Sequence, residues 1–171
     1  MGIDDIEPYV VCPFTVIVDT REQKPWHFLG FNADANQENR PLIVPTERNA
    51  LKTGDYSIKG MEDLITIERK SHSDAWSTFI RERDRFEREL ERMSKMEFAA
   101  IIIECDENSL LCRRPIESRA NPKTIYRSLI AWEQRFGVHV RFCETVGWAE
   151  RTCFRYLERF WKDKESRKSH G

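Results

Sequence analysis

The sequence predicts an α/β domain with a mixed central β-sheet flanked by helices. Three observations predict it. Short β-rich runs alternate with stretches of helical periodicity. The run 98–104 is continuously apolar, as in a strand covered on both faces. Residues 54–70 alternate polar and apolar about a glycine, as a hairpin does. A length of 171 residues fits one domain, with a core at about 14–162, a loose leader at 1–12 and a polar, frayed tail at 163–171.

The elements follow in order. Residues 14–18 are a β-rich run that ends in Asp19-Thr20-Arg21-Glu22. The stretch 23–49 is rich in Pro, Asn and polar residues and reads as an irregular excursion with one short strand near Leu42-Ile43-Val44. Core packing is the expected role of Trp26 within it.

The hairpin can be registered by arithmetic. With the turn centred between Met61 and Glu62, Tyr56 faces Ile67 and Ile58 faces Ile65, two apolar pairs on one side. The polar side then carries Ser57 against Thr66 and Asp55 against Glu68, with Lys70 alongside, because residues two apart share a face. Opposed residues have Cβ atoms about 4.5–5.5 Å apart, so the register brings two carboxylates and a lysine together.

Ser73 is the expected cap of a helix over 73–95, with Trp76, Phe79, Ile80, Phe86, Leu90 and Met93 as its apolar stripe. Arg83 falls on that stripe, either snorkelling at its edge or aimed at a site. Asn121-Pro122 opens a second helix and Gly137 closes it. A strand over 138–142 and a third helix over 150–164 complete the pattern.

Net charge is −1, but residues 1–112 carry 14 basic and 22 acidic groups and residues 113–171 carry 14 and 7. That asymmetry suits an acidic metal site beside a phosphate-facing surface, or two differently charged solvated faces. Arg113, Arg114, Arg119, Lys123 and Arg127 are the candidate nucleic-acid contacts. Five cysteines without a C-x-x-C pair argue against a zinc site, and reduced thiols in a cytoplasmic setting are expected. No apolar run approaches a membrane span.

Phosphodiester hydrolysis needs a cation to neutralise phosphate, a positioned water and stabilisation of developing charge. Mg²⁺ or Mn²⁺ takes hard oxygen ligands and keeps several waters. Asp55 and Glu68 supply such oxygens, the backbone carbonyl of Arg69 can add another, and Lys70 can hold the attacking water. Asp19 and Glu22 are candidate outer carboxylates. The same residues also fit a surface ion-pair ladder.

Gly54-Asp55, a spacer, Glu68-Arg69-Lys70 and then Asp74 resembles the G-D-x(n)-E-R-K-x(3)-D signature of XPF/Hef-type nuclease domains, a branch of the PD-(D/E)XK superfamily. Val18-Asp19-Thr20-Arg21-Glu22 resembles the V-D-x-R-E opening of the same domain. The resemblance implies a restriction-endonuclease-like core and Mg²⁺- or Mn²⁺-dependent endonuclease activity on DNA, branched or flap DNA in repair or recombination. It implies metal-binding roles for Asp55 and Glu68, with Asp19 and Glu22 as supporting acids and Asp19 counted among the metal ligands. Lys70 matches the catalytic lysine, and Arg69 and Asp74 match motif residues that tie strand to helix. An arginine on the long helix should face the site, Arg83 or Arg85, with the stripe favouring Arg83. The family's tandem helix-hairpin-helix module has no room here, so a stand-alone form is expected. Homodimerisation through the nuclease domain is a further expectation, which the third helix (Phe154, Leu157, Phe160, Trp161) could serve, although core packing explains the same residues more cheaply. The alternative is a non-catalytic DNA-binding or scaffold protein with a nuclease-like fold.

Overall fold

A computed structural model of the chain describes residues 8–116 and 118–169. Its main sheet has six strands, and their alternation explains how one face acquires a site. The strands are β2 (Val16–Asp19), β5 (Thr46–Asn49), β6 (Tyr56–Ile58), β7 (Ile65–Ser71), β8 (Phe98–Glu104) and β9 (His139–Phe142), in the order β5-β2-β6-β7-β8-β9. β2 runs parallel to β5 and antiparallel to β6, which is antiparallel to β7; β7, β8 and β9 are parallel. The sheet is therefore mixed, and its parallel half is covered on both faces, as parallel strands require.

The two faces have separate cores. Val16, Val18, Tyr56, Ile58, Ile65, Ile67, Ala100 and Ile102 pack under α5 (Val146–Lys168) with Trp26, Phe28 and Phe31. Ala99, Ile101 and Ile103 pack against α2 (Arg83–Met93) and α4 (Pro122–Phe136) through Phe86, Leu90, Leu129 and Trp132. By the two-residue period of a strand, Asp19, Asp55, Glu68 and Lys70 belong to the second face. The Tyr56–Ile67 pair has the register expected from the alternation. Ile58 and Ile65 lie buried in the same core as that pair.

Several elements differ from expectation. The leader contributes β1 (Val10–Val11), which pairs with β4 (Pro41–Ile43); its first seven residues lie outside the described part. β4 also pairs with β3 (Phe31–Asn32), so the excursion holds a second, three-stranded sheet. The excursion also supplies β5, an edge strand of four polar residues with no apolar face to announce it. The long helix is broken. Ser71 caps α1 (His72–Trp76), a π-helical turn follows over Ser77–Arg81, and α2 restarts at Arg83. Ser71 rather than Ser73 is the cap because its hydroxyl accepts from the Asp74 N–H. A short helix α3 (Glu107–Cys112), capped by Asp106, was not expected. α5 starts earlier, at a Thr145 cap, and continues through most of the supposed frayed tail, to Lys168. Phe154 and Leu157 are fully buried in the chain's own core, and Phe160 and Trp161 pack against it partly buried, as core packing predicts.

Candidate active site

The site begins at a glycine. Gly54 has φ +74°, and a Cβ there would lie 2.0 Å from Thr66 Oγ1. Only glycine lets the backbone enter β6 this close to β7. That approach delivers Asp55 to the polar face. Its N–H donates to the Ile67 carbonyl (2.9 Å), and its Oδ2 accepts from the Arg69 N–H (2.8 Å). Glu68 is 4% exposed, and its Oε1 accepts from Lys70 Nζ at 2.5 Å. The Lys70 ammonium lies 5.4 Å from the Phe86 ring centre on α2.

Burial raises both carboxyls above their ordinary range. At Glu68 the Asp55 charge adds to it, and Lys70 opposes. At Asp55 the Arg69 N–H and Lys70 oppose it, while Glu22 and Glu89 add to it. Lys70 is held above its ordinary value: burial lowers it, but Glu68, Asp55 and Glu89 outweigh that. Ionising both carboxyls therefore takes more positive charge than one ammonium supplies, a condition that favours a cation.

The cluster opens into a cleft of about 570 Å³ lined by Glu22, Asp55, Lys70, Asp74, Arg85 and Glu89, among others. Among the described residues no three His, Cys, Asp or Glu side chains converge tightly enough to cage a metal by themselves. Mg²⁺ needs only one or two carboxylates with waters. Asp55 Oδ1 and Glu68 Oε2 accept no hydrogen bond among the described residues. The donor set therefore fits a hard divalent ion.

The other expected site residues separate into roles. Asp19 is fully buried, and its oxygens accept four hydrogen bonds: from Arg21 N (2.8 Å), Nε (2.7 Å) and Nη2 (3.0 Å), and from Leu51 N (2.7 Å). Burial alone would raise its carboxyl, but these donors hold it below the ordinary range. With its lone pairs taken, Asp19 braces the loops around the cleft and is not placed as a metal ligand. Glu22 sits on the rim, accepting from Lys24 N (2.8 Å) and lying 3.6 Å from Arg69 Nη1.

The side chain of Arg69 turns to the opposite face. Its Nε donates to Glu104 Oε1 (2.8 Å), its Nη1 donates to the Lys24 carbonyl, and its guanidinium stacks 4.9 Å from the Trp26 ring centre. It is a positioning residue whose backbone, not its side chain, touches the cluster. Asp74 accepts from Ser71 Oγ (2.5 Å), closing the strand-to-helix junction the motif implies.

Arg83 and Arg85 are resolved by packing. Arg83 does lie on the inward stripe, but that stripe faces α4: Nη1 donates to Ser128 Oγ (2.5 Å), Nε pairs with Glu87 (3.1 Å), and the guanidinium covers Trp132. Arg85 lines the cleft, paired with Glu82 at 2.7 Å. Glu89 was missed, although Glu82, Arg85 and Glu89 repeat at helical spacing beside Phe86; it accepts from Gly54 N at 3.4 Å. Glu104 was missed because a carboxylate ending an apolar strand carries no pattern of its own. Arg113, Arg114, Arg119 and Lys123 are exposed on and beside the α3–α4 connection and do not line the cleft.

A mixed sheet with helices on both faces and the acid–lysine cluster at a strand end define a restriction-endonuclease-like fold. Residues 18–150 match the ERCC4 domain, most of the chain, so the protein belongs to the ERCC4-domain family. Two solved structures share its fold. "XPF from Aeropyrum pernix" is 20% identical with a TM-score of 0.59, covering 85% of this chain and 60% of that one. The same protein in complex with DNA is 22% identical with a TM-score of 0.60, covering 88% of this chain and 66% of that one. The chain thus spans under two thirds of those structures. No curated protein matches it.

Proposed function

We propose that the chain is a divalent-metal-dependent DNA endonuclease that hydrolyses phosphodiester bonds, with branched or flap DNA as its substrate in repair or recombination. The observation that carries this is the Asp55–Glu68–Lys70 cluster, buried on one sheet face and opening into a cleft. Membership of the ERCC4-domain family and the DNA-bound state of the XPF neighbour support the substrate.

Asp55 Oδ1 and Glu68 Oε2 would hold Mg²⁺ or Mn²⁺. When bound, the ion would neutralise phosphate charge and lower the pKa of a coordinated water. Lys70 presents its ammonium beside Glu68, where it can orient the attacking water and balance negative charge growing on the phosphate. The Arg69 N–H fixes Asp55, and the Glu104–Arg69–Trp26 contacts hold the end of β7 in place. Arg85, on the cleft wall, would bind a scissile-strand phosphate. Arg113, Arg114, Arg119 and Lys123, exposed on and beside the α3–α4 connection, would contact phosphates outside the cleft.

The test is incubation of the folded chain with flap, fork and duplex DNA in Mg²⁺, Mn²⁺ or EDTA. Cutting of at least one substrate with metal and none in EDTA is expected. A folded protein that cuts none of them, yet binds DNA equally with and without EDTA, would make it a non-catalytic DNA-binding scaffold.

A further inference from the structure

A second concave surface lies on the opposite side of the sheet from the Asp55–Glu68–Lys70 cluster. It is a groove of about 550 Å³ between β9 and the first turns of α5, the size of pockets that take small ligands. Phe31 and Tyr156 form its floor, and Arg141, Arg151, Arg155 and Trp148 its walls. No carboxylate lines it. Trp148 is 60% exposed, which is unusual for so large an apolar ring, and its indole N–H makes no hydrogen bond among the described residues. Arg151 lies over the Phe31 ring (5.3 Å) and has no ion-pair partner among the described residues. Arg141 Nε donates to the Tyr156 hydroxyl (3.2 Å), and of the three arginines only Arg155 has an ion-pair partner among the described residues, Glu158 at 2.6 Å.

The groove is also close to the cleft. Lys70 on β7 is in register with Ile103 on β8, and Ile103 with Phe142 on β9. Two strand spacings of about 4.8 Å therefore separate the lysine from the end of β9, and α5 begins four residues later at Val146. Residues 22–31 run from the cleft wall at Glu22 to the groove at Phe31 and are tied down on the way. Trp26 Nε1 donates to Glu104 (3.1 Å), and Phe28 N donates to Glu150 on α5 (2.5 Å).

We infer that this groove binds an unpaired DNA strand that passes over the sheet end on its way to or from the cleft. Arg141 and Arg151, without an ion-pair partner among the described residues, match a phosphate backbone, and an exposed indole offers a stacking surface that only an unpaired base can reach. The inference builds on the nuclease reading and explains how the chain would tell a flap or fork from plain duplex.

The experiment is fluorescence anisotropy with labelled oligothymidylate and with blunt duplex, in EDTA, using the full chain. Trp148→Ala should weaken oligothymidylate binding by about tenfold, and Trp148→Phe should restore most of it. Arg151→Glu should weaken it and reduce its salt dependence. Duplex affinity should change less than either. Both side chains are exposed, and circular dichroism checks that the variants fold. Unchanged oligothymidylate binding in both variants overturns the inference, as does equal loss for duplex. If the variants instead convert a dimer to a monomer without altering DNA binding, the groove is a contact between copies and the inference fails. Wild-type cutting of flap DNA with Mg²⁺ is scored separately, so loss of the groove does not count against the nuclease reading, nor the reverse.

Discussion

Gly54→Ala should damage the site through the backbone alone. At φ +74° an alanine costs about 1–2 kcal/mol relative to glycine. Its Cβ would also fall 2.0 Å from Thr66 Oγ1, well inside contact distance, so the hydroxyl must leave. That hydroxyl now donates to the buried Thr53 carbonyl at 2.9 Å, and leaving such a group unpaired costs about 1–3 kcal/mol. The combined loss is about 3 kcal/mol, which lowers the melting temperature by roughly 10 °C for a domain of this size. The assay is thermal or urea unfolding of the four members of a double-mutant cycle with Thr66→Ala. Removing the Thr66 hydroxyl removes the clash but not the strain, so Gly54→Ala should cost about 1–2 kcal/mol in the Thr66→Ala background. A loss below about 1 kcal/mol in the Thr66 background, or an equal loss in both backgrounds, would refute the argument that the close approach of β6 to β7 requires glycine.

Stability without metal should fall as pH rises. Asp55 and Glu68 have folded-state pKa values above their unfolded ones, so the folded chain keeps protons the unfolded chain releases. Stability is then lost from the ordinary carboxylate range upward through those raised values. Melting in EDTA should drop by about 3 °C between mildly acid and mildly alkaline pH, and Glu68→Gln should flatten the curve; a curve that rises with pH refutes it. Asp19 acts in the opposite window, since its lowered carboxyl stabilises at neutral pH and loses that contribution only in strong acid. The two helix arginines should separate by assay. Arg83→Ala should cost about 1 kcal/mol of stability through lost contacts with Trp132, Glu87 and Ser128, while leaving cleavage per folded molecule intact. Arg85→Ala should leave melting unchanged and slow cleavage about tenfold or more; the reverse pattern would reinstate the stripe-based choice.

The geometry of the cluster was legible because apolar side chains register a hairpin. Tyr56 and Ile67 had to meet in one core, and the strand period then put Asp55, Glu68 and Lys70 on the other face. The Pro122–Phe136 helix was legible from its Asn121 cap and the left-handed Gly137. What escaped lacked such a lever. Thr46–Asn49 is polar throughout, because an edge strand can be solvated, and only its partner β2 makes it a strand. The π turn at Ser77–Arg81 leaves the apolar stripe unbroken, so periodicity could not reveal it. Arg83 falls on the apolar stripe, but a stripe says nothing about which neighbour lies against it, and here it is α4. Asp19 counts among the ligands on the family resemblance. Its environment, with Arg21 and Leu51 filling both oxygens, is a tertiary fact.

The central claim is that Asp55, Glu68 and Lys70 form a metal-dependent cleavage site on DNA. It is tested most directly by comparing wild-type protein with Lys70→Met on one labelled flap substrate. Cleavage is followed at saturating protein in Mg²⁺, and binding of the same DNA is measured in Ca²⁺. The expected result is a loss of cleavage of about a hundredfold or more, with DNA affinity changed by less than about threefold and the fold intact. Cleavage by Lys70→Met at the wild-type rate would contradict the account.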